Sequence, residues 1–425
     1  MNAPETIIRW ATPVFFVLIG IELLVARWRG QAAYRSADAI NSIGLGVISQ
    51  LVGVFSKLLT FGIYAWVAAH LALFQLPADS LLVWALALLA YDFLYYWLHR
   101  AGHELNILWA AHVVHHQSEH YNLSTALRQT STGGLLGWIF YLPMALLGFP
   151  LSVFVGVALI DLLYQFWVHT EQIGRLGWFD RVFCSPSNHR AHHAVNERYL
   201  DRNYGGILIL WDRLFGSFVE EDDADPPVYG TRAPLRSWNP LWANAEVYWA
   251  SAKDMWHARR WRDKAWVWIK PPGWRPVDVA TRFPKPAFEL ARARFEPPMS
   301  RALAVYCLLQ FALLLGMATQ FLALSASASL ATLLAYAAYL VGSLTVLGAL
   351  MEGRRGARWI EAARLLGTAL LPWVSGRWFG VAHLDPWIAL AVLLVFGLAA
   401  LALPWLGTQA GAVFQPAVSK ARPPH

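Results

Sequence analysis

Charge is scarce in this chain. Only 14% of its 425 residues are Asp, Glu, Lys or Arg, and 57% fall in the apolar group. A soluble domain carries about 25% charged residues, so an ordinary soluble globule is excluded and a polytopic membrane protein is expected. Cysteine is nearly absent. Cys184 and Cys307 lie far apart in dissimilar segments, which argues against a disulfide scaffold and against a thiolate metal site. No internal repeat, glycine-rich phosphate loop or nucleotide signature occurs, and no flavin, haem or iron–sulfur motif. The first apolar segment lacks a small-residue cleavage pattern, so no cleavable signal is expected. The formal charge of +7 comes from basic residues scattered among apolar ones. With no nucleic-acid module beside them, these read as cytoplasmic anchors of loops, and nucleic acid is not an expected partner.

Tryptophan and histidine are plentiful, at 23 and 14 copies. Trp rings suit bilayer interfaces and equally an aromatic substrate site. Histidine is concentrated: His99, His103, His112, His115, His116 and His120 form one cluster, and His189, His192 and His193 a second. On a helix, His99 and His103 share a face, as do His112 with His115 or His116, and His189 with His192 or His193. Such pairs aim imidazoles at a common point, where they bind Fe, Zn, Ni or Cu. One such pair means little, but three groups at helical spacing point to a metal centre, catalytic rather than structural.

Apolar runs cover residues 10–25, 43–74 and 81–98, the last leading directly into His99. The run 43–74 fits one tilted span or a re-entrant segment followed by a span. Asp92 lies inside the third run, two turns before His99; it is either functional or paired with Arg100. Residues 133–168 are too long for one crossing, and Pro143, Gly148 and Pro150 divide them. A hairpin there returns the chain to its starting side and lets His169 and the second cluster meet the first. Four further apolar segments fall near 301–323, 327–351, 359–374 and 385–405. The expected fold is all-α: a polytopic helical membrane protein with a cytoplasmic histidine-rich di-metal domain. Its parts are an N-terminal transmembrane region (1–90), a histidine-box core including the membrane hairpin (91–218), a cytoplasmic amphipathic or cap region (219–299), and a C-terminal transmembrane domain (300–425). Basic residues Arg27, Arg29, Arg35, Arg354, Arg355 and Arg358 place the loops bearing them, and the histidine clusters, in the cytoplasm; Lys420 and Arg422 add the tail. The expected location is a bacterial inner membrane. The acidic run from Glu220 to Asp225 reads as a solvated loop. The Arg/Lys/Trp mixture at 256–274 reads as an interfacial segment on anionic lipid or a cap over the metal domain.

Eight histidines are the expected ligands: His99, His103, His112, His115, His116, His189, His192 and His193. Eight imidazoles exceed the needs of one tetrahedral or octahedral ion but suit two, and redox iron fits such a set better than zinc. Neutral imidazoles leave two divalent cations uncompensated, so carboxylates are expected among or behind the ligands. Glu104, Glu119 and Glu171 are nearest in sequence, with Asp161, Asp201 and Asp212 as weaker candidates. His169 is either a ninth ligand or a donor behind the ligands, and His120 either adjoins the centre or merely follows it. His70, His257, His383 and His425 are isolated and read as structural or surface residues. Trp97, Trp109, Trp138, Phe140, Tyr164, Phe166 and Trp167 either line an apolar tunnel or pack the core.

The strings WLHRAGHELNILWAAHVVHHQSEHYNLSTALRQ, LLYQFWVHTE and PSNHRAHHAVNERYLDRNYGGILILWDRLFGSF carry a specific likeness. Over residues 91–218 the chain resembles the membrane-bound fatty acid hydroxylase/sterol desaturase superfamily of di-iron proteins, and most closely its alkylglycerol monooxygenase branch. The resemblance implies two Fe ions held by the eight boxed histidines, with His169 as a further motif histidine and Glu171 as its acidic companion. It also brings Glu119, Tyr121, Asn122, Ser124 and Arg128 near the catalytic chamber. Glu171, His169, Glu119, Asn122 and Arg128 are therefore the candidate catalytic residues, although Arg128 also fits a simple anchoring role. One departure stands out: Asn188 precedes His189 where some relatives carry histidine. The implied reaction is O2-dependent hydroxylation of a membrane lipid at the carbon beside an ether oxygen, giving a hemiacetal that collapses to a fatty aldehyde. Two outside electrons are required, supplied by tetrahydrobiopterin, as the branch implies, or by a partner reductase. The alternatives are a sterol-like, hopanoid-like or fatty acyl substrate for the same centre, or a membrane metal-binding or transport protein. Transport predicts ligands spaced along a crossing path, whereas these lie at span ends. Nothing in the sequence sets the oligomeric state.

Overall fold

The computed structural model describes residues 3–380 and 384–406, and all regular structure among them is helical. His383, His425, Lys420 and Arg422 lie outside the described residues. The chain divides into two compact units, residues 1–235 with 240–286, and residues 236–239 with 287–425. Among the described residues, five helices are long and apolar enough to cross a membrane: Ser36–Ser56, Leu81–Glu104, Arg301–Leu324, Leu330–Met351 and Pro386–Trp405.

The first unit opens with α1 (Ala3–Trp28), α2 (Ser36–His70) and α3 (Leu81–Glu104). The long apolar run is thus one continuous helix, without a re-entrant break. Ser80 starts α3 by accepting the Val83 N–H, a side-chain N-cap. After α4 (Asn106–His116) and α5 (Leu123–Ala126) comes the expected hairpin: α6 (Gly133–Gly137), a 3-10 turn (Trp138–Tyr141), α7 (Leu142–Leu146) and α8 (Leu151–Trp167). Gly148 makes the reversal at φ +88°, and a Cβ there would stand 1.9 Å from the Phe74 carbonyl oxygen, so only glycine fits. Tyr64, Val83, Tyr91, Tyr141, Met144, Val153 and Phe154 build the core beneath. It joins α2, α3 and both arms of the hairpin, which fixes where the ends of α3 and α8 emerge. The rest of the unit comprises α9 (Phe179–Val182), α10 (Pro186–His193), α11 (Leu210–Leu214), α12 (Pro240–His257), α13 (Trp261–Ile269) and α14 (Val277–Arg282).

The second unit holds α15 (Arg301–Leu324), α16 (Leu330–Met351), α17 (Ala357–Ser375) and α18 (Pro386–Ala402). Three are candidate spans. α17, also expected as one, carries Arg358, Glu361 and Arg364 and is not among the five.

Candidate di-metal centre

Four short segments bring the histidines together. α3 ends with His99 and His103. Leu105 is extended (φ −115°, ψ 119°) and caps both α3 and α4, so the helix axis changes at that residue. His112, His115 and His116 on α4 then face back toward α3. α10 begins at Ser185, whose side chain accepts the Asn188 N–H, with Pro186 in its first turn; His189, His192 and His193 follow along it. His169 lies two residues beyond the end of α8.

The result is two groups. His99, His103, His112, His116 and His192 form one, and His115, His169, His189 and His193 the other, with potential ligand atoms within 4.8 Å of one another in each. Within the first, His112 Nε2 is 3.1 Å from His99 Nε2 and 3.0 Å from His116 Nε2. Within the second, His169 Nε2 is 3.2 Å from His115 Nε2 and 3.0 Å from His189 Nε2. The groups adjoin, since the His116 and His193 rings stack with centroids 4.3 Å apart. All eight expected ligands are brought together, and His169 joins them in the four-histidine group.

Behind the rings, backbone carbonyls set the tautomers. Nδ1 of His99 meets the Tyr204 carbonyl at 2.8 Å and Nδ1 of His192 the Arg202 carbonyl at 2.9 Å. Nδ1 of His115 meets the Arg128 carbonyl at 2.9 Å and that of His169 the Gln165 carbonyl at 2.8 Å. A proton held on Nδ1 by a carbonyl leaves the Nε2 lone pair for a metal. His103 Nε2 and His192 Nε2 are buried with no hydrogen-bond partner. A bound cation is the natural complement of such inward lone pairs. Burial pushes the His115 imidazole down to about 4. It also lowers His112, His116, His169, His189, His192 and His193, reinforced by their imidazole neighbours. These rings are therefore neutral near pH 7, the form that ligates.

The expected acids take other places. Both groups are purely imidazole. Asp201 approaches a ring, 3.4 Å from His103 Nδ1. Glu104 pairs with Arg100 at 2.8 Å. Asp92 does not; it accepts the Ile207 and Leu208 N–H groups and the Trp211 indole at 2.7, 3.1 and 2.8 Å. Asp161 is buried and takes the Gln165 amide. Asp212 accepts the Tyr204 and Gly205 N–H groups, each at 2.7 Å. Asp92 and Asp212 thereby clamp the loop whose residues 201, 202 and 204 meet His103, His192 and His99. Gly206 is required there, because a Cβ would fall 2.7 Å from Asp161 Oδ1 and 3.1 Å from Asp92 Oδ1. Asp201 and Asn203 hold φ of 56° and 57°, and the Asn203 amide secures its position on the Asn188 and Val219 carbonyls. Asn188, the departure from histidine, also donates to the Asp180 and Phe183 carbonyls at 3.0 and 3.1 Å, a stitching role apart from the ligand set.

The remaining candidates take varied places. Glu171 is exposed and neighbours Tyr229, whose hydroxyl is pushed up by burial first and by this carboxylate next. Tyr229 stacks on Tyr121 at 4.8 Å, and Tyr121 packs on His169 and His193. Asn122 caps α5 and donates to the Ala33 carbonyl at 2.8 Å. Arg128 is fully buried, donating to the Val114 carbonyl, Asn41, Ser42 and Gln117, so its guanidinium anchors α2 to α4. Glu119 is half-buried in the turn after α4, and His120 is buried outside both groups. Of the aromatic residues, Trp109 reaches the ligand rings, 5.1 Å from His103 and 5.7 Å from His116. Phe166 stacks on Phe15, while the Tyr164 hydroxyl donates to the Cys184 carbonyl; both are packing residues. The acidic run is more than a solvated loop. Glu221 binds Arg190, which lies between His189 and His192, at 2.7 Å, and Asp225 accepts from Asn196 at 2.6 Å. Sequence reading missed Glu22, buried on α1, which accepts the Leu123 N–H at 2.8 Å and the hydroxyls of Tyr34 and Thr170. A lone acid inside the first apolar run was its available signal.

Residues 84–217 match the fatty acid hydroxylase family, and residues 303–372 match the alkylglycerol monooxygenase C-terminal domain. The likeness thus extends beyond the histidine core. Alkylglycerol monooxygenase of Homo sapiens is 37% identical over 365 residues, covering 84% of this chain and 81% of that protein. The Danio rerio enzyme of that name is 38% identical over 368 residues, covering 85% and 81%. An ornithine lipid hydroxylase of Rhizobium tropici is 30% identical over 141 residues, covering 31% of this chain and 40% of that protein. No solved structure matches the chain significantly. With apolar helices suited to several membrane crossings and the histidine boxes gathered at one place, the chain is a multi-pass membrane enzyme, a lipid monooxygenase belonging to the alkylglycerol monooxygenase family.

Proposed function

We propose that this enzyme hydroxylates the ether-linked carbon of an alkylglycerol or alkyl-lysolipid, using two iron ions held by nine histidines. The observation that carries the reading is the pair of adjoining all-imidazole groups, in a chain similar to alkylglycerol monooxygenases over most of its length. Iron supplies dioxygen activation, which no side chain can provide. The residues do the rest. The Tyr204, Arg202, Arg128 and Gln165 carbonyls keep four rings in the ligating tautomer, and burial keeps the rings neutral. His169 acts as a ninth ligand in this scheme, with Glu171 reaching it through Tyr229 and Tyr121. Arg128 and Asn122 act as positioning residues, and Glu119 borders the chamber.

The balance is one lipid C–H, one O2, two electrons and two protons giving the hydroxylated carbon and one water. The hemiacetal then splits into a fatty aldehyde and the glycerol-side alcohol. Tetrahydrobiopterin or a partner reductase delivers the electrons. The site faces the cytoplasm of a bacterial inner membrane in this proposal, supported by Arg27 in the last turn of α1 with Arg29 and Arg35 after it, and by Arg354 and Arg355 before α17 with Arg358 in its first turn. Gathering of all nine rings at one place favours chemistry over transport, which needs stations along a crossing path.

The test is an anaerobically iron-loaded membrane preparation given an alkylglycerol, O2 and tetrahydrobiopterin, with aldehyde and metal content followed together. Pterin-dependent aldehyde is the expected result. Two bound irons without aldehyde would overturn the substrate or donor assignment and leave the centre standing. Reporter fusions after Leu98 and after Arg175 should both read cytoplasmic; opposite sides would exclude a shared centre in this topology.

A further inference from the structure

The hairpin of α12 and α13 has two faces with different chemistry. Its inner face grips α4 and the loop beyond α5. The Gln117 amide donates to the Ala243 carbonyl at 3.0 Å, and the Ser131 N–H to Asn244 Oδ1 at 3.0 Å. The Asn106 amide donates to Ser251 Oγ at 2.7 Å and to the Val267 carbonyl at 2.8 Å. Its outer face carries large aromatic rings. Trp249 is 56% exposed, Trp256 79% and Trp261 84%. On α12, Ala245, Trp249, Lys253 and Trp256 recur at the spacing of one face, as do Trp261, Ala265 and Ile269 on α13.

Cations flank these rings. Lys253 lies 5.9 Å over Trp249, and Lys264 5.5 Å over Trp261. Arg259 and Arg260, both exposed, join the helices. Of the neighbouring acids, Asp254 is bound by Arg275 at 2.7 Å, Asp278 is paired with Arg282 at 3.1 Å, Asp263 is buried and Glu246 is half-buried. Indoles want the boundary between hydrocarbon and water, and Lys and Arg beside them reach phosphates while their stems cover apolar surface. The face is thus basic and aromatic together, which matches a lipid surface of negative charge.

We propose that the α12–α13 hairpin lies in the headgroup layer of an anionic leaflet, with Trp249, Trp256 and Trp261 inserted and the flanking Lys and Arg on lipid phosphates, while its opposite face holds the histidine-bearing α4. Lipid contact and ligand helix then share one element. The inference is independent of the proposed reaction, since a chain oxidising another lipid would seat this hairpin identically.

The test uses the full chain with nitroxide labels at Trp256→Cys or Trp261→Cys, and Asp223→Cys as the aqueous reference, its side chain being 90% exposed. Cys184 and Cys307 are buried, and each is replaced by Ser so that one label enters. Accessibility to O2 and to a nickel chelate is read in nanodiscs of phosphatidylcholine, with and without phosphatidylglycerol. The expected result is O2-accessible labels at 256 and 261, several-fold more protected from nickel than the reference and deeper with phosphatidylglycerol. Arg259→Gln with Arg260→Gln should weaken the phosphatidylglycerol effect and keep the labels immersed. Nickel access equal to the reference would overturn the proposal. So would exclusion of both reagents, which means that protein covers the face. Depth indifferent to phosphatidylglycerol would overturn the anionic-headgroup assignment.

Discussion

In the first unit, His103 Nε2 and His192 Nε2 are buried without a partner. In the second, Glu361 and Arg364, equally buried on α17, have theirs complete. Arg364 donates to Glu361 at 2.6 and 2.7 Å, to Gln310 at 2.8 Å and to the Tyr339 hydroxyl at 3.1 Å. Tyr306 donates to Glu361 as well, and Tyr339 pairs with Thr368 at 2.7 Å. Both places hold polar groups away from water, but the Glu361–Arg364 network is closed while the two imidazoles leave lone pairs open. A closed network holds helices together; an open one waits for a ligand. Buried polarity is thus a sign of chemistry only where the valences are incomplete.

That contrast can be broken by experiment. His116→Ala and His193→Ala, at the stacked rings joining the two groups, should each remove bound metal and abolish turnover, followed by elemental analysis and aldehyde assay. A fully active variant with unchanged metal would sink the ligand assignment. Glu361→Leu should cost about 3–5 kcal/mol of stability by stranding a buried cation, while metal per folded chain stays constant. Adding Arg364→Met should restore most of the melting temperature; a double variant as unstable as the single would show that the pair does more than lock helices.

Asp212→Asn sharpens the comparison within the first unit. It weakens the clamp on the loop behind His99, His103 and His192, so metal should be lost from the five-histidine group by about 10–100-fold in affinity. The four-histidine group, backed by Arg128 and Gln165, should keep its metal. Equal loss from both groups in a metal titration would show that the loop does not act on the five-histidine group alone. Acidification acts on the histidine core. His115 has its folded value lowered to about 4 from the ordinary 6.5. Its contribution is therefore intact above 6.5 and lost as pH falls through that window, because the unfolded chain binds the proton first. Thermal unfolding of the metal-free chain against pH measures this; a melting temperature flat from pH 7 to about 4 would contradict it. The smallest effect is expected from Glu171→Gln, which touches the ligands only through two tyrosines. Membrane insertion and metal content should persist while activity falls several-fold, and unaltered kinetics would make Glu171 a surface residue.

Much of this centre was legible beforehand. His99 and His103, His112 with its neighbours, and the 189–193 knot have helical spacing, and helical spacing is a local property that survives into the fold. The hairpin too was readable, because Gly148 and Pro150 interrupt an apolar run too long for one crossing. Acid roles were less legible. Glu104 looked well placed beside His103, yet Arg100, one turn earlier on α3, takes it. Asp212 looked remote, yet it clamps the loop that orients His99.

By itself the sequence determined an all-helical membrane chain, the location of its breaks and the identity of its imidazoles, since hydropathy and helical period act over a few turns. Only the tertiary structure decided how nine histidines divide into five and four, which carbonyls fix the tautomers of four of them, and that Arg128 is an anchor. Those outcomes depend on contacts between residues such as His99 and Tyr204 or His115 and His169, whose juxtaposition is set by the packing of distant helices and by backbone atoms that every residue possesses alike.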